Sequence, residues 1–158
     1  MGQWIKYPEC SAHSAWNGRV TINTTDDAAN NRTYVSVTIE DRKTDGYDSG
    51  LNSNSFACYI TIDGSTSRGN DYRYVSKSGY TVRHTYSKYV SHNSNGAKTV
   101  SITACMYNYA SSGFSLAGDD ITATYNITLT TYSRGYSWVN LGQTSTTSNS
   151  EAVSFNLA

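Results

Sequence analysis

Apolar side chains recur at every second position in six stretches of this chain, and this period restricts those stretches to extended strands with one buried face. The clearest stretch has its apolar residues at Ile121, Ala123, Tyr125, Ile127 and Leu129, with Thr or Asn at each position between them. The other five predicted strands cover Trp16–Ile22, Val35–Ile39, Phe56–Ile62, Tyr80–Tyr86 and Val100–Met106. The sequence therefore predicts a protein built from strands that have one buried face and one solvent-exposed face.

One-sided alternation is typical of antiparallel sheets, since parallel sheets are covered by helices on both faces. Two such sheets bury their apolar faces against each other, which gives a sandwich. The connecting segments, including 44–55, 63–71 and 110–120, are rich in Gly, Asn, Asp and Ser, and Asn95-Gly96 is a strong hairpin signal. We predict an all-β fold, an antiparallel β-sandwich with no helix.

The alternation weakens after Tyr132, which divides the chain into a predicted sandwich of residues 1–132 and a C-terminal extension of residues 133–158. Within the extension, 143–150 has the composition of a flexible linker and 151–158 alternates again. Such a terminal strand either folds back on its own sheet or adds to the sheet of a neighbour. In the second alternative the neighbour is another protein or a second copy of this chain, and a second copy would make the protein a homo-oligomer.

The charge balance argues against two classes of partner. Lys and Arg together number 12, as do Asp and Glu, so the formal net charge is zero. Nucleic-acid binding relies on a basic surface, and attraction to anionic membranes relies on basic clusters. No apolar stretch approaches the roughly 20 residues of a membrane span, and the first residues lack the apolar core of a signal peptide. We expect neither a nucleic acid nor a membrane as partner.

The histidines are not arranged as in a hydrolase. His84 shares the phase of apolar strand residues, which predicts a half-buried structural role, and His92 precedes the Asn-Gly turn and is expected to brace it. His13 lies in a polar stretch, and the sequence contains no G-x-S-x-G motif. Most acidic residues lie in turns, where Asp is favoured for conformational reasons. We predict that the protein is not an enzyme and has no catalytic residues.

The three cysteines are predicted to be reduced. Cys58 lies in an inward phase and Cys105 in an outward one, which speaks against a bridge between them, and Cys10 leaves an odd number. The sequence contains no CxxC pair, so it gives no indication of a structural zinc site, and it contains no phosphate-binding loop motif. We expect no metal and no cofactor.

The aromatic residues are the strongest candidates for ligand binding, because the chain has 14 Tyr and three Trp on a background of Ser, Thr, Asn and Gly. Flat rings stack on the CH faces of sugars while neighbouring polar groups bind the hydroxyls. Stretches 45–52 and 69–74 combine these residue types, and the region after residue 132 adds Tyr136 and Trp138. The candidate ligand-binding residues are Tyr47, Asp48, Tyr72, Tyr74, Tyr136 and Trp138. The alternative is that outward-facing tyrosines are ordinary strand residues, selected by β-propensity alone.

Four segments occur in an order that resembles a known family. They are SAWNGRVTINTT (14–25), NNRTYVSVTIEDRKTDGY (30–47), CYITIDGST (58–66) and VSHNSNGAKTVSITA (90–104). This order resembles an Ig-like β-sandwich domain of unknown function found in minor structural and tail proteins of phages that infect Gram-positive bacteria. The resemblance covers residues 14–131, and the last segment, a hairpin, is its most specific part. Position 95 is Asn where the family often has Asp.

The resemblance implies a virion component whose partners are other virion proteins, and it supplies no catalytic residues. Together with the aromatic residues, it leads to the expectation of a non-enzymatic phage structural protein, from the tail or the particle surface, that adheres to host cell-wall polysaccharide. The alternative is a stand-alone carbohydrate-binding module.

Overall fold

The computed structural model describes residues 1–46, 49–50, 54–94, 96–110 and 116–131. The strands are β1 (Gly2–Lys6), β2 (Trp16–Asp27), β3 (Arg32–Lys43), β4 (Ser49–Gly50), β5 (Phe56–Ile62), β6 (Ser65–Arg68), β7 (Tyr74–Val75), β8 (Thr81–Ser91), β9 (Thr99–Asn108) and β10 (Asp120–Thr128). In the described ranges the only helical element is a single 3-10 turn, Ala28–Asn30. The predicted extension 133–158 and the boundary at residue 132 lie outside these ranges.

Eight of the described strands form two antiparallel sheets of four strands each, which confirms the predicted sandwich. The first sheet has the order β1-β2-β3-β8, and the second has the order β10-β9-β5-β6. A separate pair, β4-β7, is also antiparallel. If β2 is taken as strand A, the two sheets read A-B-E and G-F-C-C′, a Greek-key arrangement of the immunoglobulin type with β1 added at one edge.

The core lies between the two sheets and is built from the alternating residues that the sequence predicts to point inward. Trp16 is fully buried, and its ring packs edge-on against Phe56, with 5.5 Å between ring centroids. Ile22, Ile39 and Ile60 are also fully buried. Because burying one such side chain stabilises the fold by about 1.5–3 kcal/mol, this row of residues specifies the register of the strands.

The phase predicted for residues 80–86 is wrong at Tyr80 and Val82, which lie on the outer face, because a bulge in β8 shifts the alternation. Ile39 pairs with His84 but the next residue, Glu40, pairs with Val82, so Arg83 is left between them without a partner in the ladder. Val82 is consequently on the outer face, 58% exposed, while His84 keeps the inward phase. The bulge directs the side chain of Arg83 into the interior, as bulges often do with residues of special function.

Four strands, β1, β4, β6 and β7, are not predicted from the sequence, each for a physical reason. β6 lies inside 63–71, which was predicted to be a connector, because its residues Ser65–Arg68 contain no apolar side chain. β1 has only five residues, and β4 and β7 have two each. Alternation over such short or fully polar segments carries too little information to identify a strand.

Two of the connections between strands are tight turns. Between β5 and β6, Asp63 and Gly64 both have positive φ angles, 47° and 76°, as a two-residue hairpin of type I′ requires. Before β9, the backbone N–H of Gly96 donates to the carbonyl of Asn93. His92 is buried beside this turn, with its Nδ1 2.7 Å from the Gly96 carbonyl and its Nε2 2.8 Å from the Thr33 hydroxyl. The predicted bracing role of His92 is confirmed.

Candidate functional site

The structure describes two of the six predicted ligand-binding residues, and it places them in different surroundings. Tyr47, Asp48, Tyr136 and Trp138 lie outside the described residues. Tyr72 packs against the hydrophobic core, whereas Tyr74 in β7 is 44% exposed. Sugar binding by any of the six residues stays a prediction.

Tyr72 belongs to a buried polar cluster. Its ring stacks on Phe56, with centroids 5.1 Å apart, and the guanidinium of Arg83 lies 4.0 Å from the ring centroid. Its hydroxyl donates a hydrogen bond of 2.8 Å to Asp41, which also accepts hydrogen bonds from Trp16 and Arg83. These contacts occupy the ring and the hydroxyl of Tyr72, so the geometry gives this residue a structural role.

Asp41 is the centre of that cluster and is completely buried. Burial raises the pKa of its carboxyl, while the ion pair with Arg83 and the hydrogen bonds from Tyr72 and Trp16 act in the opposite direction. The side chain of Arg83 also donates to the carbonyl of Tyr74, 2.6 Å away, which links the cluster to β7. The cluster therefore connects the β-bulge, the core and the short strand pair, and its groups are occupied with one another.

The outer face of the second sheet has a different character, since it combines hydroxyl groups with aromatic rings. Thr61 and Thr66 are hydrogen-bonded across β5 and β6, with their hydroxyl oxygens 2.8 Å apart, and Thr103 and Thr124 are hydrogen-bonded across β9 and β10 at 3.0 Å. The pairing registers place these four threonines in one row across all four strands.

A second row beside the threonines consists of Tyr59, Tyr107 and Tyr109, here called the tyrosine row. The ring centroids of Tyr59 and Tyr107 are 6.5 Å apart, and those of Tyr107 and Tyr109 are 6.2 Å apart. Tyr59 and Tyr107 lie on neighbouring strands at diagonal positions, because Tyr59 pairs with Cys105 and Ala57 with Tyr107. Tyr109 follows the end of β9 and is 46% exposed. The three rings form a continuous aromatic strip.

Hydrogen bonds hold the ring of Tyr109 in place. The hydroxyl of Tyr109 is shared between the carbonyl of Asn54, 2.9 Å away, and the carboxylate of Asp71, 3.3 Å away. Asp71 in turn pairs with Arg68 at 2.7 Å. The neighbouring Cys105 thiol and, to a smaller extent, burial raise the pKa of Tyr59 to about 12. Tyr59 therefore stays neutral at physiological pH. The ion pair of Arg68 and Asp71 beside Tyr109 provides one donor group and one acceptor group.

Tyr59, Tyr107 and Tyr109 are not among the six ligand-binding residues predicted from the sequence. Alternation identifies the face on which each tyrosine lies, but only the pairing register of β5 with β9 shows that the rings are neighbours. The register depends on the β5–β6 turn and on the inward residues of both strands.

The described residues bring two members of a nucleophilic triad together without the third. The Ser67 hydroxyl is 2.9 Å from His84 Nε2, and no described carboxylate contacts His84. Elsewhere, His13 pairs with Asp119 at the surface, with 2.5 Å between Nδ1 and the carboxylate. In the part of the chain that the structure describes, no group of three or more His, Cys, Asp or Glu could hold a metal ion. The three cysteines are buried and unpaired, as predicted.

Comparison of the chain with protein-family models, with curated proteins and with solved structures finds no match in any of the three. Among the described residues, no helix has the length and apolar composition needed to cross a membrane. The fold therefore defines the class of this protein, an antiparallel Ig-like β-sandwich. The resemblance of residues 14–131 to a phage domain stays a prediction.

Proposed function

We propose that this protein is a non-enzymatic structural component of a phage particle, from the tail or the particle surface, that adheres to host cell-wall polysaccharide through the tyrosine row. The virion assignment is supported by the order of the four motifs between residues 14 and 104. The adhesive role is supported by the tyrosine row, and this is the observation that carries the proposal.

The tyrosine row suits a neutral sugar chain for three physical reasons. Its rings offer a continuous apolar strip for stacking on sugar CH faces, and centroid spacings of 6.2 and 6.5 Å allow one ligand chain to contact more than one ring. The hydrogen bonds of Tyr109 reduce the side-chain entropy lost on binding. Arg68 and Asp71 can bind hydroxyl groups at the edge of the strip.

Binding to insoluble cell walls purified from Gram-positive bacteria tests the adhesive role. We expect Tyr107→Ala to lower wall affinity about tenfold, since losing one stacked ring costs on the order of 1.4 kcal/mol. Tyr34→Ala is the matched control, because Tyr34 is a partly exposed strand tyrosine that packs on Tyr89 on the opposite face of the sandwich. Equal retention of the wild type and Tyr107→Ala, or no retention of the wild type, would contradict the adhesive role.

The alternative is a stand-alone carbohydrate-binding module, which would use the same face. Mass spectrometry of purified phage particles separates the two functions. Peptides of this chain at a constant ratio to the other particle proteins are expected for a structural component. Their absence from particles made by cells that express the chain would leave only the alternative.

A further inference from the structure

The outer face of the first sheet carries a cluster of charged and aromatic side chains that the proposed adhesive role does not use. It consists of Tyr7, Arg19, Glu40, Arg42 and Tyr80, here called the arginine–tyrosine patch. Arg19 and Glu40 are paired across β2 and β3. Tyr7 and Tyr80 adjoin the patch from the chain segments next to β1 and β8, with their ring centroids 6.3 Å apart.

The charges in the patch do not balance. Arg19 forms a two-pronged ion pair with Glu40, in which Nε and one terminal nitrogen each lie 2.6 Å from a carboxylate oxygen. Glu40 is only 7% exposed, whereas the side chain of Arg19 is 35% exposed, so the pair is shielded from water on its carboxylate side. Among the described residues, Arg42 has no carboxylate partner, and its guanidinium lies 4.5 Å from the centroid of the Tyr80 ring, which also contacts Arg19 at 4.6 Å. Two cations therefore share one anion.

Nε of Arg42 is buried and has no hydrogen-bond acceptor in the part of the chain that the structure describes. A buried donor without an acceptor is costly, and for a charged donor the cost exceeds that for a neutral one. A carboxylate is the group best matched to this site, because it can accept two parallel N–H bonds from a planar guanidinium. It would also bring the net charge of the patch to zero.

The rim of the patch indicates what kind of molecule presents that carboxylate. Ile5 is 46% exposed, Tyr7 62% and Val82 58%, and all three lie on the same outer face. Exposed aliphatic side chains around an Arg and Tyr centre are typical of protein interfaces, where Arg and Tyr are the usual energetic hot spots. A free anion or a sugar phosphate would gain nothing from Ile5 or Val82.

We propose that the arginine–tyrosine patch is a docking site for a partner protein that inserts an Asp or Glu carboxylate against Arg42, with apolar side chains packed on Ile5 and Val82. The site lies on the opposite sheet from the tyrosine row, so a partner protein and a sugar chain can be bound together. This proposal is independent of the proposed sugar binding.

Titration with short peptides, followed by NMR of the arginine Nε–Hε groups, tests the site directly. The probe is Ac-Leu-Asp-Leu-NH2, and the matched probes are Ac-Leu-Asn-Leu-NH2 and Ac-Gly-Asp-Gly-NH2. We expect a saturable shift of the Arg42 signal with the first peptide. We expect about tenfold weaker binding of the second, which lacks the charge, and weaker binding of the third, which lacks the apolar groups.

Two variants assign the effect to this patch. Arg42→Gln is expected to lower the affinity for Ac-Leu-Asp-Leu-NH2 about tenfold. Arg32→Gln is the matched control and should leave the affinity unchanged, because Arg32 also lies over a tyrosine ring, at 3.9 Å from that of Tyr89, but is already paired with Asp27. Amide NMR spectra of both variants show whether the fold is retained.

Three results would overturn the proposal. The first is the absence of a saturable shift with Ac-Leu-Asp-Leu-NH2. The second is equal binding of that peptide and Ac-Gly-Asp-Gly-NH2, or equal binding of inorganic phosphate at the same ionic strength, which would reduce the patch to a general anion site. The third is unchanged peptide affinity in a folded Arg42→Gln variant.

Discussion

Asp41 and Arg83 show how a single bulge residue changes the interior of this sandwich. Without the bulge, Arg83 would continue the alternation of β8 on the outer face. With it, the guanidinium reaches Asp41, with 2.6 Å between Nε and the carboxylate. Asp41 is completely buried and the side chain of Arg83 is only 9% exposed, so the pair acts on the stability of the fold.

Removing one partner of this pair should lower the free energy of unfolding far more than removing one partner of an exposed ion pair. We expect Arg83→Met to destabilise the fold by about 3–5 kcal/mol, because it leaves the Asp41 carboxyl buried without its cation. Arg68→Met is the control, since Arg68 is 59% exposed in its pair with Asp71 and such pairs contribute about 0–1 kcal/mol. Chemical denaturation of both variants measures the difference, and similar midpoints would show that the buried pair is not a stabilising contact.

At the scale of the strand, the sequence predicts what alternation can encode and nothing more. Long strands with an apolar face, such as β5, β9 and β10, are predicted with the correct inward residues. The polar strand β6 is missed, and the phase of β8 is wrong at Val82, because a bulge leaves no mark in a hydropathy pattern. The tyrosine row is not predicted from the sequence for a related reason. Whether rings on two strands are neighbours depends on the register between the strands, which is set by tertiary packing.

The β5–β6 hairpin depends on the left-handed backbone of its turn. Gly64 has a φ of 76°, a conformation that costs any residue with a Cβ atom. We expect Gly64→Ala to destabilise the protein by about 1 kcal/mol, as measured by thermal unfolding. Gly79→Ala provides the comparison, because Gly79 is outside the positive-φ region and has open space around its Cβ position. A larger loss for Gly79→Ala than for Gly64→Ala would rule out this account of the turn.

At the scale of the whole molecule, the two sheets meet in two different ways. Between β2, β3, β5 and β9 the contact is apolar and fully buried. Along the side where β8 faces β6, the contacts are hydrogen bonds, from Lys88 to Ser65 and between His84 and Ser67. The sandwich therefore has an apolar centre and one polar side, and its two outer faces carry the tyrosine row and the arginine–tyrosine patch.

The polar side makes the stability of the sandwich sensitive to acid. Burial lowers the pKa of His84 below its ordinary value of 6.5, since the imidazolium form is poorly solvated between the sheets. The unfolded chain therefore binds a proton at His84 more readily than the folded chain, and the stability contributed above pH 6.5 is lost as the pH falls through the lowered pKa. We expect the free energy of unfolding of the wild type to fall between pH 6.5 and pH 5 more steeply than that of His84→Gln, which retains a donor and an acceptor for Ser67. Denaturation series at several pH values measure both slopes. Parallel slopes would mean that protonation of His84 does not weaken the contact between the sheets, and the acid sensitivity of the fold would then have to arise elsewhere.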